Sequence, residues 1–182
     1  MVEAAARLLP RGPGSPGARL RLVLVGDGAQ GTAVREAVTA AGLDDNTWLP
    51  GSRDDVPALL AALDVFALPS LAEGISNTIL EALAAGVAVV ATDVGGNREL
   101  VTPGQCGALV PPGDPAALAA ALARYLHRPG LAAEHGTVAR RRAVGQFSID
   151  AMVSAYTETY DRVLERHGRA EPRARGLPTE TG

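Results

Sequence analysis

Five short apolar runs, each ending in a turn and each followed by a stretch of helical period, divide residues 19 to 127. The runs are "RLRLVLVG", "NTWLPG", "DVFALPS", "VAVVATD" and "GALVPP". The helical stretches between and after them are Thr32 to Ala41, Asp54 or Asp55 to Leu63, Ser76 to Ala85, the short "GNRELV", and Asp114 to about His127. Strands that alternate with helices must be joined by crossovers, and crossovers give parallel strands. The expected fold is therefore α/β, a doubly wound parallel sheet. Val2 to Leu9 reads as the end of a helix, "RGPGSPGA" as a flexible connection, and two closing helices cover about 131–144 and 149–166. In such a sheet ligands sit beyond the carboxyl ends of the strands. Every candidate site is expected in a strand-to-helix turn.

Composition narrows the chemistry. The chain has 182 residues, enough to bury a core, and a formal net charge of −3, which argues against a nucleic-acid wrapper or a polybasic membrane binder. Its single cysteine, Cys106, cannot form an internal disulfide and reads as a small apolar residue beside a strand. All 17 basic residues are arginine. Schiff-base catalysis by lysine and a P-loop lysine are thereby excluded. His127, His135 and His167 have no metal-ligand spacing, and no Ser-His-Asp arrangement is present. No apolar stretch approaches the roughly 20 residues of a membrane helix, and the N-terminus lacks signal-peptide order.

Three turns carry the candidate residues. "GDGAQG" sets Gly26, Gly28 and Gly31 after a strand and before a helix, as a dinucleotide fingerprint does. That fingerprint also wants an acid at the end of the second strand. The second strand here ends in "WLPGSR" instead. A plain tight turn, or a glycine turn lining a nucleotide pocket, fits as well. In the second turn, "PGSRDD", Arg53 is free to stack on a base or meet a phosphate, or to pair with Asp54 or Asp55 at the surface.

The third turn runs from Glu73 to Glu81. Gly74 allows close approach of a ligand, and the amides from Ile75 through Ser76 and Asn77 to Thr78 are the open donors of a helix start, suited to a diphosphate. Ile79, Leu80, Leu83, Ala84 and Val87 are expected on the packed face, with Glu81 and Asn77 on its flank. A flank carboxylate suits a cis-diol such as a ribose. Equally, Glu81 reads as a solvated helix residue and Glu73 as an acid favouring a helix N-terminus.

At these residues the sequence resembles a known family. "PSLAEGISNTILEALAAGVAVVATDVGGNRELV" is similar to the E-x7-E signature of retaining GT-B glycosyltransferases of the family 4 type, with Glu73 and Glu81 as the two acids. "LVLVGDG", "WLPGSRDDV" and "GALVPPGDPAALAAAL" follow the same order, so the resemblance covers about Leu20 to Leu164. The wording is nearest to members that build exopolysaccharides. The resemblance implies the C-terminal, donor-binding, Rossmann-like half of a two-domain enzyme that moves a sugar, with retention, from a nucleotide diphosphate donor to an acceptor. Carried over, Glu73 contacts the donor sugar's hydroxyls and is the catalytic residue of the pair, and Glu81 holds the ribose. The backbone of Gly74, Ile75, Ser76, Asn77 and Thr78 holds the diphosphate. Gly51, Ser52 and Arg53 line the base pocket, with Gly26 and Gly28 nearby. No cofactor and no metal are implied. The acceptor is a glycan or lipid-linked glycan.

One departure matters. The family carries an arginine and a lysine in the loop after the first strand of this domain, bound to the leaving diphosphate. The present chain begins inside the helix that follows and has no lysine. The resemblance therefore implies a fragment that lacks its N-terminal acceptor domain, binds donor weakly and turns over negligibly alone. The expected plan is 1–18 for a truncated first helix and linker, 19–166 for the nucleotide-sugar domain and 167–182 for a disordered tail. The expected location is cytoplasmic, with peripheral contact at the inner face of the membrane through the absent domain. Other readings are a non-catalytic nucleotide-binding module and an NAD-type domain resting on Gly26, Gly28 and Gly31. A stripe of Met152, Val153, Tyr156, Tyr160, Val163 and Leu164 either packs on the chain's own sheet or faces the other domain.

Overall fold

A computed structural model describes residues 1–9, 20–128 and 130–168. The flexible connection expected at "RGPGSPGA" lies outside the described residues. The chain divides into two compact units, Met1–Val144 and Gly145–Gly182.

The first unit holds parallel strands β1 (Leu22–Val25), β2 (Thr47–Gly51), β3 (Val65–Leu68), β4 (Ala88–Thr92) and β5 (Gly107–Val110). The helices are α1 (Val2–Leu8), α2 (Gly31–Ala40), α3 (Val56–Ala61), α4 (Asn77–Ala85), α5 (Asn97–Leu100), α6 (Pro115–His127) and α7 (Leu131–Gln146), the last running just past the unit boundary. The α/β reading and the alternation hold. The strands form two ladders: β1 with β2, and β3-β4-β5, all parallel.

Strand β4 shows why this sheet is central. All five of its residues are buried, as a strand covered on both faces requires. Its alternation sorts the helices into layers: Val89 and Ala91 pack with Leu60 of α3, Ile79 and Leu83 of α4, Leu100 of α5 and Ala139 of α7. Val90 points the other way, to Ala4 of α1 and Leu118 of α6.

Helix ends follow their local chemistry. Asp114 caps α6 by accepting from the amides of Ala116 and Ala117, both at 2.9 Å, and Pro115 takes the first helical position. Gly86 closes α4 in the left-handed region, at φ 78°. Gly136 of α7 then approaches so closely that a Cβ there would lie 2.1 Å from the Gly86 carbonyl oxygen. Asp55 stands at the N-cap of α3 but makes no cap bond, because its carboxylate is taken by Arg53. The helix stops at Ala61, two residues short of the expected Leu63.

His135 of α7 is buried, with Nδ1 3.0 Å from the Tyr125 hydroxyl and the two rings edge to face. Burial lowers its pKa from the ordinary 6.5. The folded imidazole thus stays neutral where the unfolded one takes a proton. Its contribution to stability is full above about pH 6.5 and is lost as pH falls through the lowered value. Thermal melts from about pH 7.5 down to about pH 5 are expected to show a falling midpoint, with a shallower fall in His135→Gln.

The second unit is described through α8 (Ile149–Gly168). Ser148 caps it through the Ala151 amide at 3.2 Å. The helix runs two residues into the segment expected as a tail, and the rest of that segment lies outside the described residues. The apolar stripe of Met152, Val153, Tyr156, Tyr160, Val163 and Leu164 is exposed, from 45% at Val163 to 68% at Leu164. Among the described residues no helix is long and apolar enough to cross a membrane.

Candidate functional site

The turn from Ser70 to Ser76 joins the carboxyl end of β3 to the start of α4. Ser76 is the N-cap: its Oγ accepts from the Ile79 amide at 3.4 Å and lies 3.0 Å from the Thr78 hydroxyl. Ahead of Ile79 the amides of Asn77 and Thr78 belong to the helix start, where no intrahelical acceptor exists. Asn77, Thr78 and Gly74 are solvent-exposed, as is Ile75 at 61%. This end of α4 therefore presents open donors and the positive end of the helix dipole to solvent.

The Glu73 carboxylate is held on one side of that turn. The Ser70 hydroxyl donates to its Oε1 at 2.6 Å. Ser70 is fixed in turn, because the Thr92 hydroxyl at the end of β4 donates to its carbonyl at 2.6 Å. Glu81 stands two turns into α4 and is exposed. Its position corrects the expected one. The buried face of α4 runs through Ile79, Ala82 and Leu83, while Ala84 is exposed. At 100° per residue Glu81 lies about 200° round from Ile79, opposite the core face rather than on its flank.

A second loop braces the turn. Gly95 and Gly96, between β4 and α5, touch the backbone of Glu73 and Gly74, and the Gly96 amide donates to the Gly74 carbonyl at 2.7 Å. Gly95 has φ +52°, and a Cβ on it would sit 1.9 Å from the Glu73 carbonyl oxygen. Fully buried Asn97 donates to the Thr92 carbonyl at 3.0 Å. Its side chain thereby anchors α5 to the end of β4.

The remaining candidates gather elsewhere on the same strand edge. Gly26, Gly28, Gly31 and Gly51 line a cavity of about 430 Å³ with Leu24, Val25 and Met1. Its lining includes none of residues 70–81. Arg53 forms a two-pronged ion pair with Asp55, at 2.8 and 2.7 Å, and its guanidinium lies 5.7 Å from the Trp48 ring centre. The surface pairing is thus the arrangement seen, and it raises the Arg53 pKa while lowering that of Asp55. Ser52 is exposed beside it. Among the described residues no cluster of His, Cys, Asp and Glu has the makings of a metal site.

A family model described as glycosyl transferases group 1 matches residues 1–128. The chain belongs to this family. It is 37% identical over 177 residues to the 2-deoxystreptamine N-acetyl-D-glucosaminyltransferase of Streptomyces fradiae, covering 95% of this chain and 39% of that protein. It is 37% identical over 127 residues to the lipopolysaccharide core biosynthesis mannosyltransferase LpcC of Rhizobium leguminosarum bv. viciae, covering 70% and 36%. The chain thus spans less than half the length of these relatives. Among solved structures, HepE of Anabaena in complex with UDP superposes with a TM-score of 0.78 at 28% identity, over 88% of this chain and 44% of that one. The C-terminal domain of a glycosyl transferase group 1 family protein from Francisella tularensis gives 0.71 at 25% identity, over 81% and 77%. These neighbours make the fold a Rossmann-like half of a GT-B glycosyltransferase.

Within this group 1 chain, Ser70, Thr92, Gly95, Gly96 and Asn97 support the turn, and reading the sequence alone did not single them out as site residues. The signals were present but weak: a hydroxyl three residues before Glu73, and a Gly-Gly pair after a buried strand.

Proposed function

We propose that this chain is the donor-binding half of a retaining group 1 glycosyltransferase of the family 4 type, and that the α4 N-terminus seats the diphosphate of a nucleotide-sugar donor. The observation that carries this reading is the turn itself, with open helix-start amides between a braced Glu73 and an exposed Glu81. HepE, which shares the fold, was crystallised in complex with UDP and with UDP-glucose. In this reading Glu81 accepts from the ribose hydroxyls and Glu73 from hydroxyls of the transferred hexose. Gly51, Ser52 and Arg53 border the base, and Gly26 and Gly28 lie at its margin. Arg53 would then exchange its bond to Asp55 for the ligand. The donor is the substrate, and neither metal nor cofactor is assigned.

The activity belongs to a longer protein, whose remaining domain would bind a glycan or lipid-linked acceptor for polysaccharide assembly. That domain would work on the cytoplasmic side of a membrane. The resemblance assigns the leaving diphosphate to an arginine and a lysine in the loop after the domain's first strand, and this chain has no lysine, so it supplies less of an electrostatic term usually worth several kcal/mol. Alone it should bind nucleotide weakly and transfer no measurable sugar. Calorimetry with UDP, GDP and NADH tests the reading. Heat with UDP or GDP, unaffected by Gly28→Ala, is the expected result. Heat with NADH alone, abolished by Gly28→Ala, would transfer the site to the glycine cavity. Sugar transfer by the isolated 182-residue chain would overturn its assignment as an incomplete enzyme.

A further inference from the structure

The ladder between β3 and β4 stops at Leu68 and Ala91. Pro69, the next residue after β3, has no N–H with which to continue it. A side chain takes over. Buried Thr92, one residue beyond Ala91, donates its hydroxyl to the Ser70 carbonyl at 2.6 Å. Thr92 is itself fixed, because its carbonyl accepts from the Asn97 side chain and from the Val94 amide, both at 3.0 Å. On the far side of Glu73, the Gly74 carbonyl accepts from the Gly96 amide at 2.7 Å. The turn is therefore tied to the chain after β4 at Ser70 and again at Gly74. These bonds close it without any help from the Glu73 side chain.

On a fixed backbone a glutamate still has three staggered wells at χ1 and three at χ2. The Ser70 hydroxyl removes that freedom by donating to Glu73 Oε1 at 2.6 Å. This is the sole hydrogen bond to the Glu73 carboxylate among the described residues. It also sorts the two oxygens. Oε1 receives the serine proton, whereas Oε2 has no partner and is not sealed from solvent. A half-buried carboxylate held in this way presents one open acceptor in one direction. A serine three residues before a glutamate can also serve only to close a turn. Here the backbone bonds at Ser70 and Gly74 already do so.

We propose that Ser70 is a positioning residue, whose hydroxyl holds Glu73 so that its second carboxylate oxygen is set to accept from a sugar hydroxyl of the nucleotide-sugar donor. Ser70 keeps its proton throughout and touches no reacting atom. The part about the sugar rests on the donor-binding function proposed above, and the hold on Glu73 does not. A ligand that needs one conformer binds in proportion to the population of that conformer. Release of Glu73 into three to nine wells should therefore cost the sugar about 3- to 9-fold in affinity. The nucleotide, assigned to the α4 amides and Glu81, should be unaffected.

Two measurements on the 182-residue chain test this, one of them without ligand. Three-bond NMR couplings across the Glu73 Cα–Cβ bond should report a single χ1 well in the native chain and in Ser70→Thr, and averaged values in Ser70→Ala. Averaging in the native chain, or a single well in Ser70→Ala, would overturn the hold. Calorimetry then compares UDP-glucose with UDP, and GDP-mannose with GDP. In Ser70→Ala the sugar nucleotide should lose its advantage over the bare nucleotide by about 3- to 9-fold, with the bare nucleotide unchanged and Ser70→Thr restored. In a Glu73→Ala background, Ser70→Ala should change nothing further, because its effect passes through Glu73. Equal losses for bare nucleotide and sugar nucleotide, or an undiminished loss in the Glu73→Ala background, would overturn the positioning role. If neither nucleotide binds the native chain, the donor-binding function fails, and the couplings alone decide whether Ser70 holds Glu73. Should Ser70→Ala not fold, averaged couplings in the native chain would still refute the hold, and Ser70→Thr with a single well and an unchanged advantage for the sugar nucleotide would still support it.

Discussion

Gly95→Ala should destabilise the chain by about 3 kcal/mol or more and lower its melting midpoint by roughly 6–12 °C. Two costs add. The backbone at Gly95 has φ +52°, which an L side chain adopts only under strain, and the new methyl would meet the Glu73 carbonyl oxygen at 1.9 Å. The obstacle is backbone, so no side-chain rotation relieves it. Either the Gly95 loop or the Glu73 turn has to move. Gly113→Ala is the matched control: φ is +70° there, but no atom lies within 4 Å of the added Cβ. Its cost should stay near 1 kcal/mol. Equal losses in the two variants would mean that backbone angle alone matters, and that the Gly95 loop does not brace the turn.

Glu81→Ala should weaken UDP binding about 10- to 100-fold while leaving the melting midpoint within about 2 °C. A hydrogen bond to a charged acceptor is worth about 1.5–3 kcal/mol, which converts to that range. The residue is exposed on the side of α4 away from the core, so its removal leaves no cavity and no orphaned partner. Uridine should lose affinity in parallel with UDP, because the assigned contact is to ribose, whereas free diphosphate should not. Unchanged UDP affinity would leave Glu81 as a solvated helix residue, the other reading its spacing allows.

Much of this molecule was legible in the residues. Runs such as "VAVVATD" suit a strand covered on both faces, as in a parallel sheet, and β4 is buried at every position. Asp114-Pro115 and Gly86 mark helix ends through bonds and angles local to a few residues, and both ends fall where expected. The turn between Glu73 and Glu81 was found for the same reason, since a helix N-terminus after a strand is a local feature.

What failed depended on neighbours far along the chain. The flank assigned to Glu81 came from an apolar pattern that counted Ala84 as packed, and the alanine-rich stretch around it gives several faces of nearly equal hydrophobicity. In the structure Ala82 belongs to the buried cluster and Ala84 is exposed. The bonds that hold Glu73 come from Ser70 and, behind it, Thr92, which is 22 residues away in sequence. Pairing of Arg53 with Asp55 was among the options from the sequence, and the choice required side-chain geometry.

The sequence by itself determined the alternation of strands and helices, the ends of α4 and α6, and the helix start that follows β3, because spacing and capping act over a few residues. Only the tertiary structure decided that the five strands form two separate ladders, and that Gly95 must lack a side chain to let the Glu73 backbone pass. Both follow from backbones brought together across long stretches of chain, where excluded volume and hydrogen-bond pairing set the outcome and local pattern carries no record of it.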